Sequence, residues 1–305
     1  MLKFIFKRLL GAIPTLFVII SISFFMIRMA PGGPFDQERQ LPPEVIENLN
    51  KAYHLDKPLH EQFVMYLKGI LQGDFGPSFQ YKDYSVTELI AQGFPVSLKI
   101  GGIAIILASL IGIFLGSLAA LRQNTRTDYM IMSFSMTGIT IPSFVMAPLM
   151  SLFIGVYLRW LPVGGWGTAK HAVMPIIALA LPQIAYIARL TRASMIEVLR
   201  SNYIRTAKAK GLSQSVILFR HAIKGALLPV ISYLGPATAH IITGSVVVEK
   251  IFGIPGIGRF FVLGALNRDY TLVMGVVVFY GMIIILLNLM VDILYGILDP
   301  KVRYE

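Results

Sequence analysis

The sequence predicts an all-α polytopic membrane protein with six transmembrane helices and a helical extracytoplasmic segment between the first and second. Three observations carry that reading. Of 305 residues, 55% are hydrophobic and only 14% charged, with a mean hydropathy of +0.70, whereas soluble domains carry about a quarter charged residues. Six apolar runs approach or exceed the roughly twenty helical residues needed to cross about 30 Å of hydrocarbon. The excess of Lys and Arg also falls on one side of those runs.

Leu9 to Ile27 is almost uninterrupted apolar sequence preceded by Lys3, Lys7 and Arg8. It resembles the charged and apolar regions of a signal peptide, but it is long and lacks a clear small-x-small cleavage site. It reads as a retained span within a first region, residues 1–30. Residues 31–96 are too polar and turn-rich to span. Pro43 to Leu55 and Pro58 to Leu71 pattern as amphipathic helices, the second with Leu59, Phe63, Tyr66 and Ile70 at spacings of three and four. Gly73-Asp74-Phe75-Gly76-Pro77 stops it with turn chemistry. This segment reads as a small extramembrane cap.

A five-helix core follows over 97–298, with spans near 97–121, 129–158, 173–189, 227–248 and 272–297, and then a short tail, 299–305. The fourth span is short and holds Pro175 and Pro182, so a kinked helix surrounded by protein is expected there. With the N-terminus inside, the cytoplasmic pieces are 1–8, 122–128, 189–225 and 298–305. They hold 15 Lys and Arg against four acids, while all other segments balance at 12 and 12. Both termini are therefore expected in the cytoplasm.

Cysteine is absent and the dipeptide Gly-Lys does not occur. That excludes thiolate chemistry and a Gly-Lys-Ser/Thr phosphate cradle. His-Glu-x-x-His and Gly-x-Ser-x-Gly are missing too, and the five histidines are scattered, so no catalytic or metal constellation is expected. Asp292 and His240 stand out as ionisable groups within spans, with Lys99 and Arg189 near span ends. Asp292 suits snorkelling or a partner from the basic loop. His240 is compatible with hydrogen-bonded packing or with a water-filled passage. Weak polar stripes, Ser133 with Thr137 and Thr140, Gln183 with Tyr186, and His240 with Thr243, either bond neighbouring helices or line a path for a polar solute. Phe252-Gly-Ile-Pro-Gly-Ile-Gly-Arg-Phe-Phe is apolar, yet its glycine and proline density is expected to forbid a regular helix across Gly253 to Gly258. It reads as a re-entrant plug or a lip at the interface, making Ile254, Pro255, Gly256, Ile257 and Gly258 candidates for an outer gate.

The loop 189–225 is strongly basic but also holds an apolar set: Met195, Ile196, Leu199, Ile204, Val216, Ile217 and Phe219. Helical pieces before and after Gly211 are expected, with Gly211 as a stop and Ser213 as an N-cap. Such a loop could meet anionic headgroups or another protein. Arg205-Thr-Ala-Lys-Ala-Lys-Gly211, with Leu228-Pro229 beyond it, resembles the cytoplasmic loop of ATP-binding-cassette importer permeases, commonly Glu-Ala-Ala, three residues, Gly. Arg205 and Thr206 replace Glu and the first Ala, and Gly211 to Pro229 is a longer interval. Both departures resemble the dipeptide, oligopeptide and nickel branch. Ala30-Pro31-Gly32, Gly73-Asp74-Phe75-Gly76-Pro77-Ser78, Ile141-Pro142-Ser143-Phe144, Gly253-Ile-Pro-Gly-Ile-Gly258 and Asp299-Pro300-Lys301 also look like that branch. Pro42-Pro43-Glu44-Val45, Tyr81-Lys-Asp-Tyr-Ser-Val86 and Asn267-Arg268-Asp269-Tyr270 are most similar to B-type subunits of oligopeptide permeases.

The resemblance implies a type I importer architecture in the bacterial inner membrane. It implies a homologous C-type permease partner and two cytoplasmic ATPases that use ATP and Mg, with no cofactor held by this chain. It further implies an extracytoplasmic binding protein that delivers oligopeptides, contact with membrane lipid and no role for nucleic acid. On it, Arg205, Thr206, Ala207, Lys208, Ala209, Lys210 and Gly211 form an ATPase-coupling helix. Thr137, Thr140, Gln183, Tyr186, His240 and Thr243 become path residues. Permeases for dipeptides, glutathione or nickel are the alternatives within the branch, and a proton-coupled carrier is the rival outside it.

Overall fold

The computed structural model describes residues 2–29, 43–81 and 83–298. Ala30-Pro31-Gly32, Pro42, Lys82, Asp299-Pro300-Lys301 and the tail 299–305 lie outside the described residues. The described chain is helical apart from turns and one isolated bridge between Pro77 and Ser85. In order it runs α1 (Leu2–Met29), α2 (Pro43–Ala52), α3 (Leu59–Leu71), α4 (Val86–Leu121), α5 (Arg126–Thr140) and α6 (Ser143–Met150), which continues as a π-helical stretch to Tyr157. Next come α7 (Ala169–Leu199), α8 (Asn202–Ala209), α9 (Gln214–Val216), a π-helical stretch Ile217–Ala222 and α10 (Ile223–Ala226). The last four are α11 (Leu228–Gly244), α12 (Val246–Phe252), α13 (Ile257–Leu266) and α14 (Tyr270–Leu298).

Among the described residues, five stretches are long and apolar enough to cross a membrane: Arg8–Met29, Val86–Leu121, Ala169–Leu199, Leu228–Phe252 (α11 followed by α12) and Tyr270–Leu294. The expected third span is different. It is a pair, Arg126–Thr140 and Ser143–Tyr157, bent by 97°, and it makes the sixth crossing if the pair counts as one span. The cause is local. Pro142 has no N–H and disfavours helical geometry in the residue before it, and Ile141 accordingly takes φ −95°, ψ 113°. Two other boundaries move. α4 begins at Val86 rather than near 97 and runs through Pro95. α7 continues to Leu199, so the first third of the basic loop is helix.

The helices divide into two compact units. One comprises Phe6–Ser97 with Pro255–Ile285. Here Phe24, 1% exposed, sits among Phe25, Phe63 and Tyr66 and fastens α1 to α3. Asp269 is fully buried and accepts hydrogen bonds from the Ser78 hydroxyl (2.5 Å) and from the backbone N–H of Gln80 (3.2 Å) and Leu272 (3.1 Å). The last of these caps the start of α14.

The other unit is built on Leu98–Ile254 with the chain from Leu286. A close helix contact is made by Gly112 and Gly116 of α4 against α7, a small-xxx-small spacing that lets backbones approach. A Cβ on Gly116 would stand 2.4 Å from the Ala188 carbonyl oxygen and 2.7 Å from the Thr191 Cβ. Gly116→Leu must therefore push α4 off α7, and overpacking of this kind costs about 1–3 kcal/mol or more. Apparent melting of the detergent-solubilised chain should fall sharply, while Gly102→Leu, where nothing lies within 4 Å, should leave it unchanged.

Candidate functional site

α7 leaves its span and ends at Leu199; Ser201, extended at φ −68° and ψ 156°, then opens α8. Ile204 and Ala207, three residues apart and hence on one face, are 0% and 7% exposed. They pack with Ala120, Met195, Ile217, Ala222 and Ala226, which roots the short helix. Arg205, Thr206, Lys208, Ala209, Lys210 and Gly211 are exposed. Of the Arg205–Gly211 helix expected for ATPase coupling, Ala207 faces its own core. Gly211 stands at φ +75°, the left-handed conformation that ends helices and favours glycine, and the Leu212 N–H returns to the Ala207 carbonyl at 3.3 Å. The Ser213 hydroxyl accepts the Val216 N–H at 3.5 Å. Met195, Ile204 and Ile217 of the loop's apolar set are buried, whereas Val216 and Phe219 are exposed, Phe219 by 71%.

A second feature braces the same helix–loop junction. Arg192 of α7 grips Asp128 at the start of α5 with two parallel bonds, Nε to Oδ1 and Nη2 to Oδ2, each 2.6 Å. Asp128 also accepts the Asn124 N–H at 2.9 Å, and Arg200 donates to the Gln123 amide oxygen at 3.2 Å. The short turn before α5 is thus tied to α7 just upstream of α8. Sequence reading missed this pair because 64 residues separate its members and Asp128 looked like one more loop charge. It also missed Glu249, fully buried and accepting from the Ser245 hydroxyl at 2.7 Å, because the fifth span was drawn to end at 248.

The proposed path residues divide. Ser133, Thr137 and Thr140 share an exposed face of α5, with the Thr137 and Thr140 hydroxyls donating to the carbonyls of Phe134 (2.6 Å) and Met136 (2.9 Å). His240 is exposed on α11, and Thr243 donates to the Ala239 carbonyl at 2.8 Å. Gln183 is different: it is 6% exposed and accepts from the Tyr233 hydroxyl at 2.7 Å. Tyr186 lies against Tyr233, ring centroids 6.0 Å apart, with the Arg189 guanidinium 5.6 Å over its ring.

The glycine- and proline-rich segment corrects an expectation. Only residues 253–256 are non-helical; α13 begins at Ile257, so Ile257 and Gly258 are helical. Gly253 ends α12 at φ +65°. Ile254 and Ile257 are fully buried, Gly256 and Gly258 are buried and Pro255 is partly so. The Ile257 N–H donates to the Ser97 hydroxyl at 3.0 Å, and a Cβ on Gly93 would stand 2.9 Å from that nitrogen. The segment is therefore packed against α4.

Membrane-length helices, one broken pair and a rooted basic helix between two of them define the class: a helical membrane protein. The fold is shared with the inward-facing MetNI methionine ABC transporter, with a TM-score of 0.61 at 17% identity over 70% of this chain and 97% of that one. An amino acid ABC transporter crystallised with histidines gives 0.53 at 17% identity, covering 70% and 94%. The chain belongs to the binding-protein-dependent transport system inner membrane component family, which matches residues 112–304, with the family's N-terminal region matching 1–101. Among its relatives is the oligopeptide transport system permease protein OppB of Haemophilus influenzae, 58% identical over all of both chains. The Escherichia coli K12 protein of the same name is 57% identical, also over all of both chains. The dipeptide transport system permease protein DppB of Bacillus subtilis is 46% identical over 99% and 98%. This chain is a multi-pass inner-membrane protein and a non-catalytic transport component.

Proposed function

We propose that this chain forms half of the translocation path of an ATP-driven oligopeptide importer. The observation that carries the reading is 58% identity kept along the whole chain with permeases named for oligopeptide transport, against 46% with a dipeptide relative. A homologous C-type permease supplies the other half. Two cytoplasmic ATPases hydrolyse ATP with Mg, and an extracytoplasmic binding protein delivers the peptide. The one-sided Lys and Arg excess puts both termini and the loop 189–225 in the cytoplasm, and residues 31–96 outside.

In this reading α8 is the coupling helix. Arg205, Thr206, Lys208, Ala209, Lys210 and Gly211 meet an ATPase, while Ile204 and Ala207 transmit its displacement to the spans. Nucleotide shifts the permease between states only through its differential affinity for them, so a rooted helix is a better lever than a loose one. The exposed faces holding Thr137, Thr140 and His240 line the passage, with Tyr186 and Thr243 beside them. Gln183 orders that wall through Tyr233, and residues 254–258 set the outer gate by their packing rather than by plugging it.

Affinity purification of the tagged chain from its native membrane should bring down a second permease and two ATPases. Reconstituted with its binding protein, the assembly should import tri- to pentapeptides only with ATP. A solitary chain that takes up peptide on a proton gradient would overturn the proposal.

A further inference from the structure

Three buried polar atoms without a hydrogen-bond partner belong to residues that line one cavity of the unit built on Phe6–Ser97 and Pro255–Ile285. They are Arg28 Nε at the end of α1, and Gln62 Oε1 and the Tyr66 hydroxyl on α3. All three residues line a pocket of about 270 Å³ walled by Phe24, Tyr53 and Met65. Buried polar groups are nearly always satisfied, and those that are not call for an explanation.

The orientation of each group is constrained. Gln62 is 7% exposed, and its amide nitrogen donates to the carbonyls of Leu55 (3.2 Å) and Lys57 (2.7 Å). Carbonyls only accept, so the Gln62 amide cannot be reversed and its oxygen is left waiting for a donor. The Arg28 guanidinium carbon lies 5.5 Å over the Phe24 ring, and none of the ion pairs among the described residues involves it. A partly buried guanidinium favours an anionic oxygen. Burial pushes the Tyr66 phenol well above its ordinary range, so it stays a neutral hydroxyl able to donate or accept. The aromatic and thioether part of the wall suits an apolar side chain, and the wall also carries His54 and Asp74, whose Oδ1 accepts the Gly76 N–H at 2.8 Å. The demand is thus for one anionic oxygen, one N–H donor and an apolar body, at the small end of ligand-pocket sizes.

We infer that this cavity is a binding site for a small zwitterion, its anionic oxygen held by Arg28 and its ammonium by Gln62. A free apolar amino acid or dipeptide has that chemistry, and so does a phosphoethanolamine headgroup.

The test uses the full assembly, reconstituted in nanodiscs of phosphatidylglycerol alone, so that no zwitterionic headgroup competes. Leucine, dileucine and glycerophosphoethanolamine are titrated separately by calorimetry, and the arm that saturates identifies the source. Arg28→Gln should weaken that binding at least tenfold, and Arg28→Lys less. Tyr66→Phe should weaken it several-fold while raising the apparent melting midpoint of the unliganded assembly, since it removes an unpaired buried hydroxyl. If none of the three ligands saturates, the cavity holds only water and the inference fails. It fails equally if a ligand binds but Arg28→Gln and Tyr66→Phe leave its affinity unchanged, which would place that ligand elsewhere.

Discussion

Gly211→Asp is expected to abolish peptide uptake while the chain still accumulates in the membrane at its normal level. Nothing lies within 4 Å of the position a Cβ would take, and φ is +75°, so the substitution meets strain but no clash. Asp is among the residues that tolerate this conformation best, and the left-handed cost is about 1–2 kcal/mol, too little to unfold a rooted helix. What changes is the surface. A carboxylate enters next to exposed Lys208 and Lys210, inside the patch proposed to meet an ATPase. Desolvating that charge without a partner on the ATPase costs several kcal/mol, enough to lower uptake more than a hundredfold. Gly211→Asn has nearly the same shape and backbone tolerance but no charge, and should retain a substantial part of uptake. Uptake at the normal rate by the Asp variant, in membranes where its level is unchanged, would falsify the assignment of α8 as the coupling contact.

Asp128→Ala should be the most destabilising single change in the unit that carries α8. It leaves Arg192, whose side chain is only 26% exposed, without its bidentate partner, and the Asn124 N–H without an acceptor. Breaking one side of a buried pair typically costs about 3–5 kcal/mol, and the partial exposure of Arg192 points to the lower end. Arg192→Ala strands an almost fully buried carboxylate and should cost a similar amount. Once both are removed no charge is stranded, so the double variant should be far less damaged than the two single losses combined. Apparent melting of the solubilised chain reads all three variants. Additive losses would mean that the two residues act separately and that α5 is not latched to α7.

Much of the site was legible locally. Gly211 and Ser213 mark the end of one helix and the start of the next because positive φ and N-cap acceptance are properties of single residues. Proline at 142 announces a break, yet reading 129–158 as one span weighed hydropathy over backbone sterics. Gly253-Ile-Pro-Gly was read correctly as non-helical, but extending the break to Gly258 overlooked that Gly256 can stand just before a helix begun by Ile257. Ala207 entered the coupling helix through the family resemblance, although Ile204 three residues earlier held the clue to its face.

By itself the sequence determined the number of apolar runs, the side that bears the basic residues, the absence of a phosphate cradle and the family pattern around Arg205–Gly211. These depend on composition, short-range spacing and backbone sterics, which need no partner. The tertiary structure alone decided where the polar residues are engaged: Gln183 inward to Tyr233, Asp128 to Arg192, Ser97 to the Ile257 backbone, and Arg28, Gln62 and Tyr66 around one pocket. In a helix apolar on every side, lipid and protein neighbours impose the same chemistry, so hydropathy cannot tell which face is buried. Only the contacts between residues distant in sequence settle that, and they fix how the rooted helix α8 presents one side and hides the other.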